Sequence, residues 1–94
     1  MKSNENRKVF PLTSRLIFAP ALLEQIPERE LMDAFARHDT GDWGLVSKVR
    51  TKLNKASLRH GGELVSEYAA RNGVRFKVVT SEDSRVTRFA TIHR

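Results

Sequence analysis

The spacing of hydrophobic residues changes once along this chain, near the pair Gly61-Gly62. Before the pair, apolar residues recur every three or four positions, which is typical of helices; after it they alternate with polar residues, which is typical of strands. The pattern predicts an α+β fold, with two or three N-terminal helices packed on a three- to four-stranded antiparallel meander. The 94 residues suffice for one domain. We expect a polar, disordered tail over residues 1–9 and a single α+β domain over residues 10–94.

Two prolines divide the segment before the first long helix. The short apolar run Leu16-Ile17-Phe18 fits either an edge strand or a packed extended arm, and Pro20 then opens a short helical turn over residues 21–25. Pro27 ends this turn and is suited to be the first residue of a second helix. The predicted buried face of that second helix comprises Leu31, Met32 and Phe35.

A third helix is predicted over about residues 44–60, and Gly61-Gly62 is a suitable C-terminal stop. Its expected core face is formed by apolar residues three or four positions apart, because such residues share one side of a helix. These residues are Val46, Val49, Leu53 and Ala56.

The last third of the chain predicts three strands joined by two turns. The strands cover about residues 63–71, 74–80 and 85–92. Between the first two, Asn72-Gly73 is typical of a type I′ hairpin turn, in which both residues have positive φ. The polar residues 81–84 predict the second turn.

The chain is basic, with 17 lysine and arginine residues against 11 aspartate and glutamate residues, a net charge of +6 and a pI of about 10.3. This excess favours a polyanionic partner: nucleic acid, an acidic protein surface or anionic lipid. There is no cysteine, which excludes disulfides and thiolate metal sites and suits a reducing cytoplasm. No window has the apolar stretch of a signal peptide or a membrane span. We therefore expect a bacterial cytoplasmic protein that does not associate with a membrane.

Four of the cations form one stripe of the third helix. Spacings of 4, 3 and 4 residues at ~100° per residue place them within about 60° of each other, and no acid occurs between Gly44 and Gly62. One interpretation is a surface that contacts phosphates or an acidic partner. The other is an ordinary solvated face whose compensating acids come from elsewhere, such as residues 24–33. The stripe consists of Lys48, Lys52, Lys55 and Arg59, and Arg50 adds a further positive charge to the helix.

Arg75, Lys77 and Arg88 form a second candidate patch for binding nucleic acid or a partner, on the polar side of the predicted strands. The chain lacks the paired aromatic residues of an RNA-recognition sheet, and it has no helix-turn-helix or zinc-finger pattern. We therefore do not expect sequence-specific reading of a duplex.

The strand residues also fit the chemistry of a metal-free ribonuclease. Such an enzyme needs a general base, a general acid and cations that stabilise a pentavalent phosphate, and Glu63, Glu67 and Arg85 have these chemical types. Residues 76–94, which include His93, resemble the C-terminal hairpin of barnase/RelE-type small nucleases. The three histidines lack metal-ligand spacing and no phosphate-binding glycine loop occurs, so we expect neither a metal nor a cofactor.

The segment Arg37-His38-Asp39-Thr40-Gly41-Asp42-Trp43-Gly44 contains the pattern RHxxGDWG. Together with residues 54–68 and 73–91, it resembles a small bacterial family carried on plasmids, phages and integrative elements, which shows this box and an N…L..GG..LS.Y stretch. The resemblance covers about residues 17–92. It implies a mobile-element setting, in which small proteins counter host defence, CRISPR inhibitors among them, or act as toxins. Within the box we expect structural roles, with His38 and Asp42 as helix caps, Trp43 as a core residue, and Gly41 and Gly44 as turns.

Three hypotheses about function follow. The first is an accessory protein of a mobile element that binds nucleic acid, or a host defence nucleoprotein complex, without catalysis through the helix face over residues 48–59. The alternatives are a metal-independent ribonuclease toxin and an anti-defence inhibitor that acts by protein–protein contact. Family members usually carry acids where this chain has its stripe of lysines, so we expect the stripe to serve a function peculiar to this chain.

Overall fold

A computed structural model describes residues 15–92, which form three helices and four strands in the order βαααβββ. The predicted α+β class is confirmed. The predicted tail over residues 1–9 and His93 lie outside the described residues. The elements are β1 (Arg15–Phe18), α1 (Pro20–Gln25), α2 (Glu28–Asp39), α3 (Lys48–His60), β2 (Leu64–Ala69), β3 (Arg75–Thr80) and β4 (Val86–Thr91).

The strands form one mixed sheet in the order β1-β4-β3-β2. Strands β2, β3 and β4 form the predicted three-stranded antiparallel meander, and β1 adds a fourth strand that pairs with β4 in parallel, so the sheet as a whole is mixed. The three helices precede this meander, and β1, the edge strand that the run Leu16-Ile17-Phe18 allowed, lies before them. The parallel pairing lets Phe18 contact Phe89, with ring centroids 4.4 Å apart, while the backbone N–H of Ala19 donates to the carbonyl of Phe89 at 2.9 Å.

The core lies between α1, α2 and one face of the sheet. The sheet contributes Leu64, Tyr68, Phe76, Val78 and Phe89, all buried. The predicted buried face of α2 is correct for Leu31 and Phe35 but wrong for Met32, which is 37% exposed. The helices contribute Leu22, Ile26, Leu31, Ala34 and Phe35.

The opposite face of the sheet is called the outer face here. Its side chains are exposed or half-buried, whereas those facing α1 and α2 are buried. The outer face carries Val65, Glu67, Arg75, Lys77, Val79 and Arg88.

The predicted core face of the third helix is wrong for Val49 and Leu53, whereas Val46, in the loop before the helix, packs against the core and Ala56 is half-buried. Val49 is 69% exposed and Leu53 is 49% exposed, and the buried residue of α3 is Asn54, at 0%. The reason is the position of α3, which packs against β2, the edge strand of the sheet. The helix also begins at Lys48 instead of about residue 44, because Ser47 is its N-cap and accepts the backbone N–H of Arg50 at 3.0 Å.

The hairpin between β2 and β3 differs from the predicted type I′ turn, because Gly73 has positive φ (90°) and Asn72 does not. The N–H of Gly73 donates to the carbonyl of Ala70, and the N–H of Ala70 donates to the carbonyl of Val74, both at 2.9 Å. These bonds enclose a three-residue loop, in which only the last residue needs a left-handed backbone.

Candidate functional site

The basic stripe of α3 (Lys48, Lys52, Lys55 and Arg59) is exposed along its whole length. Among the described residues, the ion pairs join Arg37 to Asp42 and Arg75 to Glu67, so no carboxylate neutralises the stripe. The acids of residues 24–33 belong to α1 and α2, whereas α3 packs against β2. Within residues 15–92, the stripe is therefore a surface of uncompensated positive charge.

Two exposed aliphatic residues, Val49 and Leu53, lie beside the stripe and are called the apolar flank here. They are one helical turn apart, so they project from the same side of α3. They form a small exposed apolar surface that is bordered by lysines.

The buried side of α3 is anchored by Asn54. Its Nδ2 donates to the carbonyl oxygen of Val65 at 2.8 Å, and its Oδ1 accepts the N–H of Val65 at 3.1 Å. The side-chain amide thus makes the two bonds that a neighbouring strand would make to β2. Nε of Arg50 donates to the same Oδ1 at 3.2 Å, which fixes the direction of the Arg50 side chain.

The loop before α3 covers the next part of the same strand edge. The N–H of Leu45 donates to the carbonyl of Glu67 at 2.8 Å, and the N–H of Glu67 donates to the carbonyl of Trp43 at 3.1 Å. Together with the bonds of Asn54, these bonds occupy the backbone N–H and C=O groups of Val65 and Glu67 at the edge of β2. This hinders the addition of a further strand there.

His38 does not cap α2 as predicted. It is fully buried and reaches the sheet, where Nδ1 lies 2.5 Å from Oγ of Ser66 and Nε2 lies 2.8 Å from Oγ1 of Thr80. A further bond of 2.8 Å joins the hydroxyls of Thr80 and Thr87. Burial lowers the pKa of His38 to about 4, so the imidazole is neutral at physiological pH.

Asp42 does not cap a helix either. Its carboxylate accepts from Arg37, with Nε to Oδ2 at 2.8 Å and Nη2 to Oδ1 at 3.3 Å, and Oδ1 accepts the N–H of Gly44 at 3.2 Å. The hydrogen bond from Arg37 lowers the pKa of Asp42. The Arg37 guanidinium also lies 4.7 Å above the Tyr68 ring, and the Tyr68 hydroxyl donates to the carbonyl of Asp42 at 2.6 Å. Burial raises the pKa of Tyr68 to about 12.

The remaining box residues shape the backbone of the loop. Gly44 has φ of 69°, and a Cβ there would collide with the carbonyl of Glu67 and the ring of Tyr68. Gly41 has φ of 90° with open space around it, so only its backbone conformation favours glycine. Trp43 is 9% exposed and belongs to the core cluster. Every box residue thus has a packing, bonding or backbone role in the structure.

The second predicted patch lies on the outer face of the sheet. Arg75 forms an ion pair with Glu67, while Lys77 and Arg88 are exposed and make no ion pair among the described residues. Arg50 is half-buried and projects almost opposite to the stripe, so it belongs with Lys77 and not with the helix stripe. Arg50 and Lys77 both line a groove of about 470 Å³ between the start of α3 and the outer face.

The three candidate ribonuclease residues are not brought together. Glu67 lines the groove opposite Lys77, whereas Glu63 and Arg85 are exposed and precede β2 and β4 at the other end of the sheet. Glu63 and Glu67 are four positions apart along extended chain, a distance of roughly 13 Å. Within residues 15–92 there is also no group of three or more side chains suited to hold a metal, and no helix has the length and apolar character that a membrane span requires.

Comparison with known proteins adds no relative. No family model, curated protein or solved structure matches this chain. The family resemblance carried by the RHxxGDWG box therefore stays a prediction.

The residue that sequence reasoning missed is Asn54. It lies in a helix of mixed apolar, basic and small polar residues without an evident role, and only its place at the start of the N…L..GG stretch marked it. Ser66 and Thr80 were missed as well, because small hydroxyl residues in strands give no sign that a distant histidine binds them.

Proposed function

We propose that this protein is a non-catalytic nucleic-acid-binding protein whose basic stripe on α3 contacts phosphate groups. The observation that carries the proposal is the stripe itself: four exposed cations with no compensating carboxylate among the described residues. A cation without a protein partner is free to replace the counterions of a polyanion. The mobile-element setting rests on the family resemblance and belongs to the same proposal.

The attachment of α3 supports this use. Asn54 and Arg50 fix the side of the helix that faces β2, so the stripe is presented by a helix that is held in place. From Lys48 to Arg59 the helix rises about 16 Å. A surface of this length meets several consecutive phosphates of one strand, and it carries no aromatic residue that would stack on a base. We therefore expect affinity with little dependence on base sequence.

The salt dependence of binding gives a quantitative test. If all four cations contact phosphates, the logarithm of the association constant should fall with the logarithm of salt concentration with a slope of roughly −3. Fluorescence anisotropy with a labelled 20-nucleotide RNA or DNA, over a series of salt concentrations, measures this slope. A slope near zero would contradict phosphate contact.

A charge-reversal variant tests the location. K48E/K52E/K55E should lower the association constant by about a hundredfold or more, because each lost phosphate contact removes a favourable release of counterions. The matched control is R29E/R71E/R85E, which changes the net charge equally at exposed positions outside α3. Circular dichroism should show that both variants stay folded. Equal losses of affinity in the two variants would place the binding elsewhere or show that only net charge matters.

The apolar flank favours a second candidate, contact with an acidic protein such as a component of a host defence complex. Nucleic-acid backbones offer no apolar surface to Val49 and Leu53, whereas an amphipathic acidic segment offers both charge and apolar area. V49S/L53S should leave nucleic-acid affinity unchanged and lower the capture of a protein partner from nuclease-treated host lysate. If the double substitution changes neither the nucleic-acid affinity nor the capture of a protein partner, the apolar flank has no role in binding.

The ribonuclease alternative makes a separate prediction. Pure protein should cleave RNA in the presence of EDTA, and E63A, E67A and R85A should each abolish cleavage. An absence of cleavage at high protein concentration would count decisively against it.

A further inference from the structure

The groove between α3 and the outer face of the sheet has the composition of a site for a small anion. It has a volume of about 470 Å³, which lies within the range of about 300–1,000 Å³ typical of ligand pockets. One wall comes from the start of α3, with Arg50, and the loop before it, and the other from the sheet, with Lys77 on β3.

The charge balance of the groove is positive. Glu67 is the acid among the groove's lining residues, and Arg75 from the neighbouring strand pairs with it. Arg50 donates only its Nε, to Asn54, so its two terminal nitrogens have no hydrogen-bond partner among the described residues. Lys77 likewise has no described partner. The groove is thus lined by two cations and one carboxylate, and this carboxylate, which lies opposite Lys77, is paired with Arg75.

The two cations differ in a way that suits phosphate. Asn54 restrains the Arg50 guanidinium, whose remaining N–H groups match two oxygens of one phosphate, while Lys77 offers a more mobile point charge. The other walls of the groove include Val46, Val65 and Ile92, which suit an apolar or planar group and contribute little to the binding of a bare ion.

We infer that this groove binds a phosphate monoester with a planar organic group, that is, a nucleotide, with Arg50 and Lys77 on the phosphate and the aliphatic wall against the base. The site is independent of the proposed function, because Arg50 projects from the side of α3 almost opposite to the basic stripe. The same chemistry is available from a free mononucleotide or from the 5′-phosphorylated end of a strand.

Isothermal titration calorimetry with the full chain tests the inference. AMP should bind, inorganic phosphate should bind at least about fivefold more weakly, and adenosine should not bind detectably, because the phosphate supplies the charge and the base supplies the apolar contact. R50Q and K77Q should each weaken AMP binding by about tenfold or more. K77Q changes an exposed strand residue, so it remains informative if R50Q disturbs the start of α3.

Matched variants separate this site from the stripe. K52Q/K55Q removes two cations from the stripe and should leave AMP affinity unchanged, whereas R50Q/K77Q should abolish AMP binding. E67Q should tighten AMP binding severalfold, because it removes the negative charge in the groove and releases Arg75. The inference is overturned if AMP does not bind at millimolar concentration, if K52Q/K55Q weakens AMP as much as R50Q/K77Q does, or if inorganic phosphate binds as well as AMP.

Two further ligands distinguish the sources of the phosphate. A pentanucleotide with a 5′-phosphate should bind at least about tenfold more tightly than the same pentanucleotide with a 5′-hydroxyl if strand ends are the natural ligand. Equal affinity of the two, together with AMP binding that depends on Arg50 and Lys77, identifies the free mononucleotide as the ligand. Loss of the basic stripe in K48E/K52E/K55E removes strand binding under the proposed function but leaves AMP binding intact, so failure of one proposal is distinguishable from failure of the other.

Discussion

Helices α2 and α3 are almost equal in length, at 12 and 13 residues, yet they meet the sheet in opposite ways. Helix α2 buries Leu31 and Phe35 on the core face of the sheet. Helix α3 buries Asn54 and exposes Val49 and Leu53. The difference follows from geometry, because α2 covers side chains of the sheet, whereas α3 runs beside β2, where backbone N–H and C=O groups need hydrogen bonds.

The comparison shows what hydrophobic periodicity does and does not establish. It establishes that a helix has an apolar face, but not that the same chain covers this face. In α2 the core covers it; in α3 the edge of β2 takes a polar residue instead, and the apolar flank lies at the surface next to the basic stripe. The exposed surface of α3 therefore combines positive charge with apolar side chains that the described chain does not cover.

The largest expected effect contrasts one leucine from each helix. Leu31→Ala should lower the free energy of unfolding by roughly 2–5 kcal/mol, because Leu31 is fully buried and its loss leaves a cavity. Leu53→Ala should change it by no more than about 0.5 kcal/mol, because Leu53 is half exposed. Urea denaturation followed by circular dichroism measures both. A large decrease in the free energy of unfolding of Leu53→Ala would mean that this side of α3 is covered in solution, for example by a second copy of the chain.

Acidification should reveal the buried histidine of α2. His38 has a pKa of about 4 in the folded protein and about 6.5 when unfolded, so the unfolded state binds the proton first as the pH falls. The contribution of neutral His38 to the free energy of unfolding is fully present above pH 6.5 and is lost progressively between pH 6.5 and 4. Over this range it amounts to about 3 kcal/mol.

Variants isolate this effect from the titration of carboxylates. His38→Gln should lose the component of the pH dependence between pH 6.5 and 4, whereas His60→Gln, at an exposed position of α3, should keep it. Urea denaturation at a series of pH values gives the free energies. Identical pH profiles for the wild-type protein and His38→Gln would show that His38 does not resist protonation in the folded state.

Sequence reasoning reached most of the fold because local signals and burial agree over most of the chain. The prolines and Gly61-Gly62 bound the helices close to their observed ends, and the alternation around Phe76 and Val78 follows the observed burial of β3. The parallel partner of β1 was beyond reach, since a three-residue apolar run is compatible with either direction and pairing depends on β4, about 70 residues away.

The candidate site was predicted less well, for a physical reason. Exposure of the basic stripe follows from charge alone, because an unpaired lysine is costly to bury. Asn54, which anchors α3, binds the backbone of Val65, 11 residues away, and His38, which joins α2 to the sheet, binds Thr80, 42 residues away. Their partners are a strand edge and small hydroxyls, which carry no pattern that a one-dimensional analysis detects.

Substitution of Asn54 should give the next effect in size. Asn54→Ala should destabilise the protein by about 2 kcal/mol, because the N–H and C=O of Val65 lose their partner in a half-buried position. Asn54→Asp should be at least as harmful, since a carboxylate cannot donate to the carbonyl of Val65. Thr51→Ala, at a half-buried position on the same helix, is the control and should cost less than about 0.5 kcal/mol. If Asn54→Ala is as mild as Thr51→Ala, the edge contact does not hold α3 in place.

The ion pair at the end of α2 should contribute least. Arg37 and Asp42 are both about half exposed, at 52% and 54% of their side-chain surface, so water and salt weaken their attraction despite two hydrogen bonds. A double-mutant cycle with Arg37→Gln and Asp42→Asn should give a coupling energy of about 0.2–1 kcal/mol that declines in 1 M salt. A coupling energy in this range would mean that α2 is held by its buried contacts with the core and by His38. The difference between α2 and α3 would then come from how each helix contacts the sheet. A coupling above about 2 kcal/mol that resists salt would instead make the Arg37–Asp42 contact, with Tyr68 beneath it, a principal anchor of the helix.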